Sequence, residues 1–103
     1  MTGARMILSL VADRALRRDL FDWLGEQLDL VPGFTASDVD GHGPTVGLHS
    51  AAEQVQGHAN RVMVRIILDE SAATKLIDRL KNNFGGSYLV YWTSPIADFG
   101  VID

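Results

Sequence analysis

The chain has 103 residues, 47% of them hydrophobic, which predicts one globular domain over residues 1–103 that buries its own core. It contains no cysteine, so disulfides and thiolate metal sites are excluded. The net charge is −4, and no basic run is longer than Arg17-Arg18, so we expect no nucleic-acid partner. The apolar run over residues 6–12 is too short to cross a bilayer, so we expect a soluble, cytoplasmic protein without direct membrane insertion.

The first half of the chain has the pattern of a strand, a helix and a second strand. Residues 6–12 are rich in branched apolar side chains and are followed by Asp13, a good helix N-cap. Apolar residues then recur at intervals of three and four, which predicts an amphipathic helix of about 14 residues. Its apolar stripe contains Leu16, Leu20, Trp23 or Leu24, and Leu28. Val31-Pro32-Gly33 ends this helix, and residues 34–40 alternate as a second strand.

The second half repeats this order. Residues 61–68 predict a third strand, Asp69 is the next N-cap, and Gly85-Gly86 ends the second helix. Residues 87–92 predict a fourth strand that Pro95 terminates.

The two halves have matching spacing, since Arg5 to Asp13 corresponds to Arg61 to Asp69. We therefore predict an α+β, ferredoxin-like βαββαβ sandwich. It has a four-stranded antiparallel sheet, two helices on one face and a short C-terminal extra strand. Chance similarity of two amphipathic units is the alternative, and it leaves the βαββαβ order intact because that order rests on periodicity.

Alternation along the strands predicts that both faces of the sheet are apolar. The face expected under the helices carries Met6, Leu8, Leu10, Ala12, Val62, Val64, Ile66 and Leu68. The opposite face carries Ile7, Ser9, Val11, Met63, Arg65 and Ile67, joined by Leu89 and Tyr91 of the fourth strand. Soluble monomers seldom expose such a patch, so we expect identical subunits to cover it. The tail, residues 96–103, either adds a short strand to a neighbouring subunit or covers its own sheet edge.

Loop 41–60 joins the two halves and holds all three histidines. The imidazoles of His42, His49 and His58, with nearby carboxylates that include Glu53, are ligand types suited to zinc, copper or nickel. Their spacings of seven and nine residues match no compact metal motif. The loop therefore holds either a labile divalent transition-metal site or three solvated histidines.

Catalysis is not expected from these residues. The sequence contains no nucleophile elbow, no paired-carboxylate spacing and no HExxH motif. An enzyme subunit that binds a small ligand in a cleft between subunits is the remaining alternative from that class.

The residues Gly41-x-Gly43, Glu53-Gln54-Val55-x-Gly57 and the strand from Arg61 to Asp69 resemble the P-II-like signalling superfamily, including its CutA-related members. The chain is most similar to small P-II-like proteins associated with heavy-metal efflux systems. The resemblance implies a homotrimeric regulator, not an enzyme, whose loop 41–60 (the T-loop) senses a small effector or binds a membrane transport partner such as an efflux pump. The implied effector or partner residues are Gly41, Gly43, Gly47, Glu53, Gln54 and Gly57. A metal-binding accessory protein of heavy-metal efflux, using His42, His49 and His58, is the alternative.

The chain departs from this superfamily at two places. Members that bind adenine nucleotides have a Gly- and basic-rich phosphate loop between the second helix and the fourth strand. Residues 82–87 read Asn-Asn-Phe-Gly-Gly-Ser here, with only Lys81 nearby, so this loop does not support a nucleotide. Loop 41–60 also lacks the tyrosine that some members modify. The sequence therefore leaves the cofactor or effector unknown, with a divalent transition metal as one candidate.

Overall fold

Four strands and two helices make up the part of the chain that the computed structural model describes, residues 5–42 and 59–103. The strands are β1 (Arg5–Asp13), β2 (Thr35–Gly41), β3 (Ala59–Asp69) and β4 (Val90–Pro95). They form one antiparallel sheet in the order β2-β3-β1-β4. A 3-10 turn (Arg14–Leu16) leads into helix α1 (Arg17–Glu26), and helix α2 (Glu70–Asn83) follows β3. This is the predicted ferredoxin-like α+β fold.

The core lies between the helices and one face of the sheet. The central strands contribute Leu8, Leu10, Val62, Val64 and Ile66, and all five are fully buried. The helices contribute Leu20, Leu24, Leu76 and Leu80. Burying one such side chain stabilises the fold by about 1.5–3 kcal/mol, so this layer is the main source of stability. The predicted helix-facing side of β1 and β3 is confirmed.

The internal repeat is visible in the caps and in the strand register. The Oδ1 of Asp13 accepts a hydrogen bond from the Ala15 N–H at 2.9 Å, and the Oδ1 of Asp69 accepts one from the Ala72 N–H at 2.8 Å. Strands β1 and β3 pair so that Arg5 faces Asp69 and Asp13 faces Arg61. The residues that end each strand therefore also start each helical segment.

Helix α1 is shorter than the predicted stripe. It ends at Glu26, because Gln27 leaves the helical region with φ −86° and ψ 59°. Leu28 consequently lies outside the helix and is 86% exposed, so its assignment to the apolar stripe is wrong. Leu30 is buried against the core instead, and its N–H donates to the Gln27 carbonyl at 3.1 Å.

Strand β4 begins three residues later than predicted. Gly86 and Tyr88 have φ values of +83° and +59°, and this left-handed turn delays the strand to Val90. Tyr91 then pairs with Leu10 on the helix side, while Trp92 pairs with Ser9 on the opposite face. The expectation that Leu89 and Tyr91 lie on the open face is wrong: Leu89 packs against the core, and Val90 and Trp92 take the open face.

The tail leaves the sheet beyond Pro95. The Ile96 N–H donates to the Arg5 carbonyl at 3.2 Å, and the Arg5 guanidinium lies 5.2 Å from the ring centroid of Phe99. Residues 96–103 contain no strand, so the predicted extra strand is not formed within one chain. Its formation against a neighbouring subunit stays a prediction. Of the helices in residues 5–42 and 59–103, none is long and apolar enough to cross a membrane.

Candidate functional site

The loop predicted to carry function starts and ends on adjacent strands. The ladder between β2 and β3 runs through Asp40–Asn60 to Gly41–Ala59. Facing Cα atoms in an antiparallel pair are about 4.5–5.5 Å apart, so the two ends of the loop are held side by side. We call this point the loop base, and it lies at the end of the sheet where β1 also ends.

Two of the predicted site residues lie at the loop base. Gly41 is the last residue of β2, and His42 follows it with an exposed side chain. The other predicted residues lie outside the described part of the chain: Gly43, Gly47, His49, Glu53, Gln54, Gly57 and His58. Within residues 5–42 and 59–103, no three His, Asp or Glu side chains are grouped as metal ligands would be. The predicted histidine site therefore stays a prediction.

A buried arginine lies beside the loop base and was missed by the sequence analysis. The Arg61 side chain is only 6% exposed, and its Nη1 lies 3.7 Å from the Oδ2 of Asp13. A buried guanidinium is tolerated only when a carboxylate and hydrogen bonds compensate its lost hydration. The cross-strand pairing of Asp13 with Arg61 supplies that carboxylate. The signal was present in the repeat, because antiparallel pairing of two strands that each run from Arg to Asp places the Asp of one opposite the Arg of the other.

A cleft of about 400 Å³ opens at the same end of the sheet as the loop base. It lies between the last turn of α2, the Gly85-Gly86 turn and the start of β4. Its lining is mostly apolar and aromatic: Ile77, Leu80, Phe84, Tyr88, Leu89 and Tyr91. Lys81 adds a cation to this lining, and its Nζ lies 5.9 Å from the ring centroid of Tyr91. The cleft therefore suits an apolar group that carries a negative charge at one end.

The turn that closes this cleft is conformationally restricted. A Cβ on Gly85 would meet the Lys81 carbonyl oxygen at 2.9 Å, so any larger residue would displace the backbone. Gly86 is left-handed at φ +83°, where glycine avoids the steric cost. Tyr88 adopts φ +59° without that freedom, at a cost of roughly 1–2 kcal/mol. Strain of this kind often marks a binding site, and Tyr88 is 78% exposed on the rim of the cleft.

A salt bridge on the helix side connects α2 to the segment after α1. Arg79 donates two hydrogen bonds to the Asp29 carboxylate, at 3.0 and 2.8 Å, and a third to the Oε1 of Gln27 at 2.9 Å. The hydrogen bond from Arg79 lowers the pKa of Asp29, and the same bond raises the pKa of Arg79. Both side chains are solvent-accessible, so this pair orients the connection and adds little stability.

The open face of the sheet is the second surface with functional potential. Val90 is 54% exposed and Trp92 is 43% exposed, although both are large apolar residues. Partly buried apolar residues of β1 and β3 surround them: Ile7, Val11, Met63 and Ile67. Toward β2 a shallow depression of about 330 Å³ includes Met63 and the exposed Arg65. The face is thus apolar at its centre and charged near one margin.

Known structures share this fold along nearly the whole chain. A DUF3240 family protein from Shewanella baltica OS155 is 18% identical, with a TM-score of 0.77, 98% of this chain covered and 99% of that one. A PII-like signalling protein from Thermus thermophilus is 16% identical, with a TM-score of 0.65 and coverages of 91% and 88%.

The third structure is CPII from Thiomonas intermedia K12, a nitrogen regulatory PII-like protein bound to ADP, AMP and bicarbonate. It is 16% identical, with a TM-score of 0.66 and coverages of 93% and 96%. These likenesses establish a PII-like fold. Among curated proteins, none matches the chain.

Residues 2–103 match the family model described as Protein of unknown function (DUF3240). The match spans both halves of the repeat and the connection between them. The chain therefore belongs to the DUF3240 family.

Proposed function

We propose that this protein is a non-enzymatic, P-II-like regulator that assembles as a homotrimer and acts through loop 41–60. In this proposal the loop senses a small effector or binds a membrane transport partner. The observation that carries it is the open face of the sheet, where Val90 and Trp92 stand half exposed among the apolar side chains of β1 and β3. A patch of this kind favours association between subunits.

The position of the loop supports its signalling role. The β2–β3 ladder holds the loop ends side by side at one end of the sheet, next to the buried Arg61–Asp13 pair. The cleft beside Lys81 opens at the same end. An effector that contacts both regions would gain differential affinity for one loop arrangement, which is the physical requirement for switching.

The relatives suggest which effectors to test first. CPII is a regulatory protein bound to ADP, AMP and bicarbonate. The corresponding turn of this chain, residues 82–87, has Lys81 as its only neighbouring cation in sequence. We therefore expect nucleotide phosphates to bind more weakly here than at a Gly- and Lys-rich phosphate loop, and we expect bicarbonate or another small anion to be the better candidate.

The test combines solution mass with ligand-induced thermal stabilisation. Light scattering should give three times the chain mass of 11.3 kDa. Bicarbonate, ADP and AMP should then be compared on the natural chain and on a variant whose residues 43–57 are replaced by a short Gly-Ser linker. We expect a rise in Tm for an effector with the natural chain and none with the linker variant, because a ligand stabilises only a state that binds it. A stable monomer would contradict the assembly, and equal Tm shifts in both chains would contradict the role of the loop.

A divalent transition metal is a further candidate effector, as expected for an accessory protein linked to heavy-metal efflux. Calorimetric titration with zinc, copper and nickel should be run on the natural chain and on a variant carrying His→Ala at positions 42, 49 and 58. Binding heat that the variant loses would identify the loop histidines as ligands. Equal heats would end the metal hypothesis.

A further inference from the structure

Arg65 is an exposed cation in the middle of the open sheet face. On β3 it stands between Met63 and Ile67, and in the strand pairing it faces Ser9 of β1 and Thr35 of β2. Within residues 5–42 and 59–103 its guanidinium takes part in no ion pair. Its charge in this part of a single chain is therefore compensated by solvent.

Among the described strands, no carboxylate on this face lies beside Arg65. The nearest ones on the central strands are Asp13 and Asp69, each four pairing positions away, or about 13 Å at 3.3 Å per residue. Asp13 already pairs with Arg61, and Asp69 already caps α2. The aspartates of β2 alternate with its open-face residues and lie on the helix side of the sheet. This face therefore carries a cation without a spare carboxylate.

The proposed assembly of identical subunits covers this face and removes the solvent that compensates Arg65. A guanidinium that loses its hydration without gaining a counter-charge destabilises the buried state. The same face of a second copy brings a second cation, since its side chains are identical. An anion taken from solution would remove this penalty.

The surroundings of Arg65 suit a small planar oxyanion. Arg65 lines the shallow depression of about 330 Å³ together with Thr35, Ser37, Val39 and Met63. The Thr35 and Ser37 hydroxyls lie on the same face, because the two residues are two apart on β2. An arginine fork donates to both oxygens of a carboxylate or bicarbonate, and a hydroxyl can donate a further hydrogen bond. Val39 and Met63 offer apolar contact to a short hydrocarbon group.

We propose that Arg65, with the Thr35 and Ser37 hydroxyls, binds a small carboxylate or bicarbonate ion that promotes assembly through the open face. The anion neutralises Arg65 before a second subunit covers it. This inference rests on the proposed assembly of identical subunits. The site lies on the opposite face of the sheet from the cleft lined by Lys81. Association should therefore depend on the anion in solution.

The test is sedimentation across a dilution series at constant ionic strength, so that charge screening is the same in every sample. Chloride alone is compared with chloride partly replaced by acetate or by bicarbonate, and uncharged acetamide is the control for acetate. For an anion at five times its dissociation constant, each of three sites multiplies the association constant by about six. The concentration of half-assembly should then fall by about fifteenfold. An effect of acetate alone identifies an organic carboxylate as the ligand, and an effect of bicarbonate alone identifies bicarbonate.

Variants of the site test its residues individually. Arg65→Met should remove the anion dependence and associate in chloride at least as strongly as the natural chain, because an apolar side chain needs no counter-ion. Arg18→Met removes an exposed arginine of α1 and should keep the dependence. Thr35→Val should weaken anion affinity by about three- to tenfold through the lost hydrogen bond. Thr93→Val, which faces Leu8 on the helix side, is its matched control and should leave anion affinity unchanged.

The outcomes separate this inference from the proposed assembly. A trimeric mass that is insensitive to both anions overturns the anion site and leaves the assembly standing. A monomeric mass at every anion concentration overturns both. Weaker association of Arg65→Met, without anion dependence in the natural chain, assigns Arg65 to a carboxylate of the neighbouring subunit and overturns the inference. Anion dependence that survives in Arg65→Met but is lost in the linker variant of residues 43–57 places the anion in the loop, which also overturns it.

Discussion

Replacing Trp92 by alanine should weaken the assembly far more than it weakens the subunit. A tryptophan buries about 150–250 Å², and the 43% of Trp92 left exposed in one chain corresponds to about 65–110 Å². At about 25 cal/mol per Å², covering this area contributes about 1.6–2.7 kcal/mol per subunit, or about 5–8 kcal/mol for three copies. The association constant of a trimer has units of inverse concentration squared, so the concentration of half-assembly varies as the inverse square root of that constant. The concentration of half-assembly should therefore rise by about two to three orders of magnitude.

The assay is light scattering or analytical ultracentrifugation across a dilution series. Leu28→Ala is the matched control, since Leu28 is also a large exposed apolar residue but lies away from the sheet face. Denaturant unfolding monitored by circular dichroism should show that Trp92→Ala still folds, because its side chain lies on an edge strand and is already partly exposed. Equal half-assembly concentrations for Trp92→Ala and the natural chain would refute the role of the open face.

Three further predictions concern stability and can be measured by urea unfolding. Leu76→Ala should cost about 2–5 kcal/mol, because Leu76 is fully buried in α2 and its removal leaves a cavity; a loss under about 1 kcal/mol would contradict the core assignment. Tyr88→Gly should be more stable than Tyr88→Ala by about 1 kcal/mol, because only glycine relieves the positive φ; equal stability would mean that the backbone has relaxed. The hydrogen bond from Arg79 lowers the pKa of Asp29. The stabilisation of the fold by this ion pair is therefore present above the ordinary Asp29 pKa of 3.8, and it is lost as the pH falls through the lowered pKa of the folded state. Asp29→Asn should therefore lose slightly less stability than the natural chain as the pH falls below the ordinary Asp29 pKa of 3.8, and parallel pH curves would contradict this role.

The elements that follow from periodicity were predictable from the sequence. The repeated unit of apolar strand, aspartate and amphipathic helix predicted the β1 and β3 cores and the caps at Asp13 and Asp69, all of which are confirmed. These features depend on residues within one turn or one strand of each other. Interactions between residues that are close in sequence therefore determine these features.

Features that depend on the backbone conformation between helices and strands were harder to predict from the sequence. The early end of α1 depends on the conformation of Gln27, and the register of β4 depends on the left-handed turn at Tyr88. Neither residue is a typical helix breaker or turn former, so their conformational propensities do not predict the early helix end or the left-handed turn. The cleft escaped prediction for a related reason, because its lining combines residues of α2 and β4 that only the folded chain brings together.

The short distance across the loop base has a consequence for how this family can diversify. Since Gly41 and Ala59 already face each other in the ladder, the scaffold holds the two ends of the connection side by side. Doubling the length of an unstructured connection changes its closure free energy by only about 0.6 kcal/mol. An insertion or a deletion between residues 43 and 57 is therefore expected to change the closure free energy of this connection by a similarly small amount. The length and sequence of this segment can then vary while the strand pairing at its two ends is kept, and the same property makes it a convenient place to graft a foreign recognition sequence.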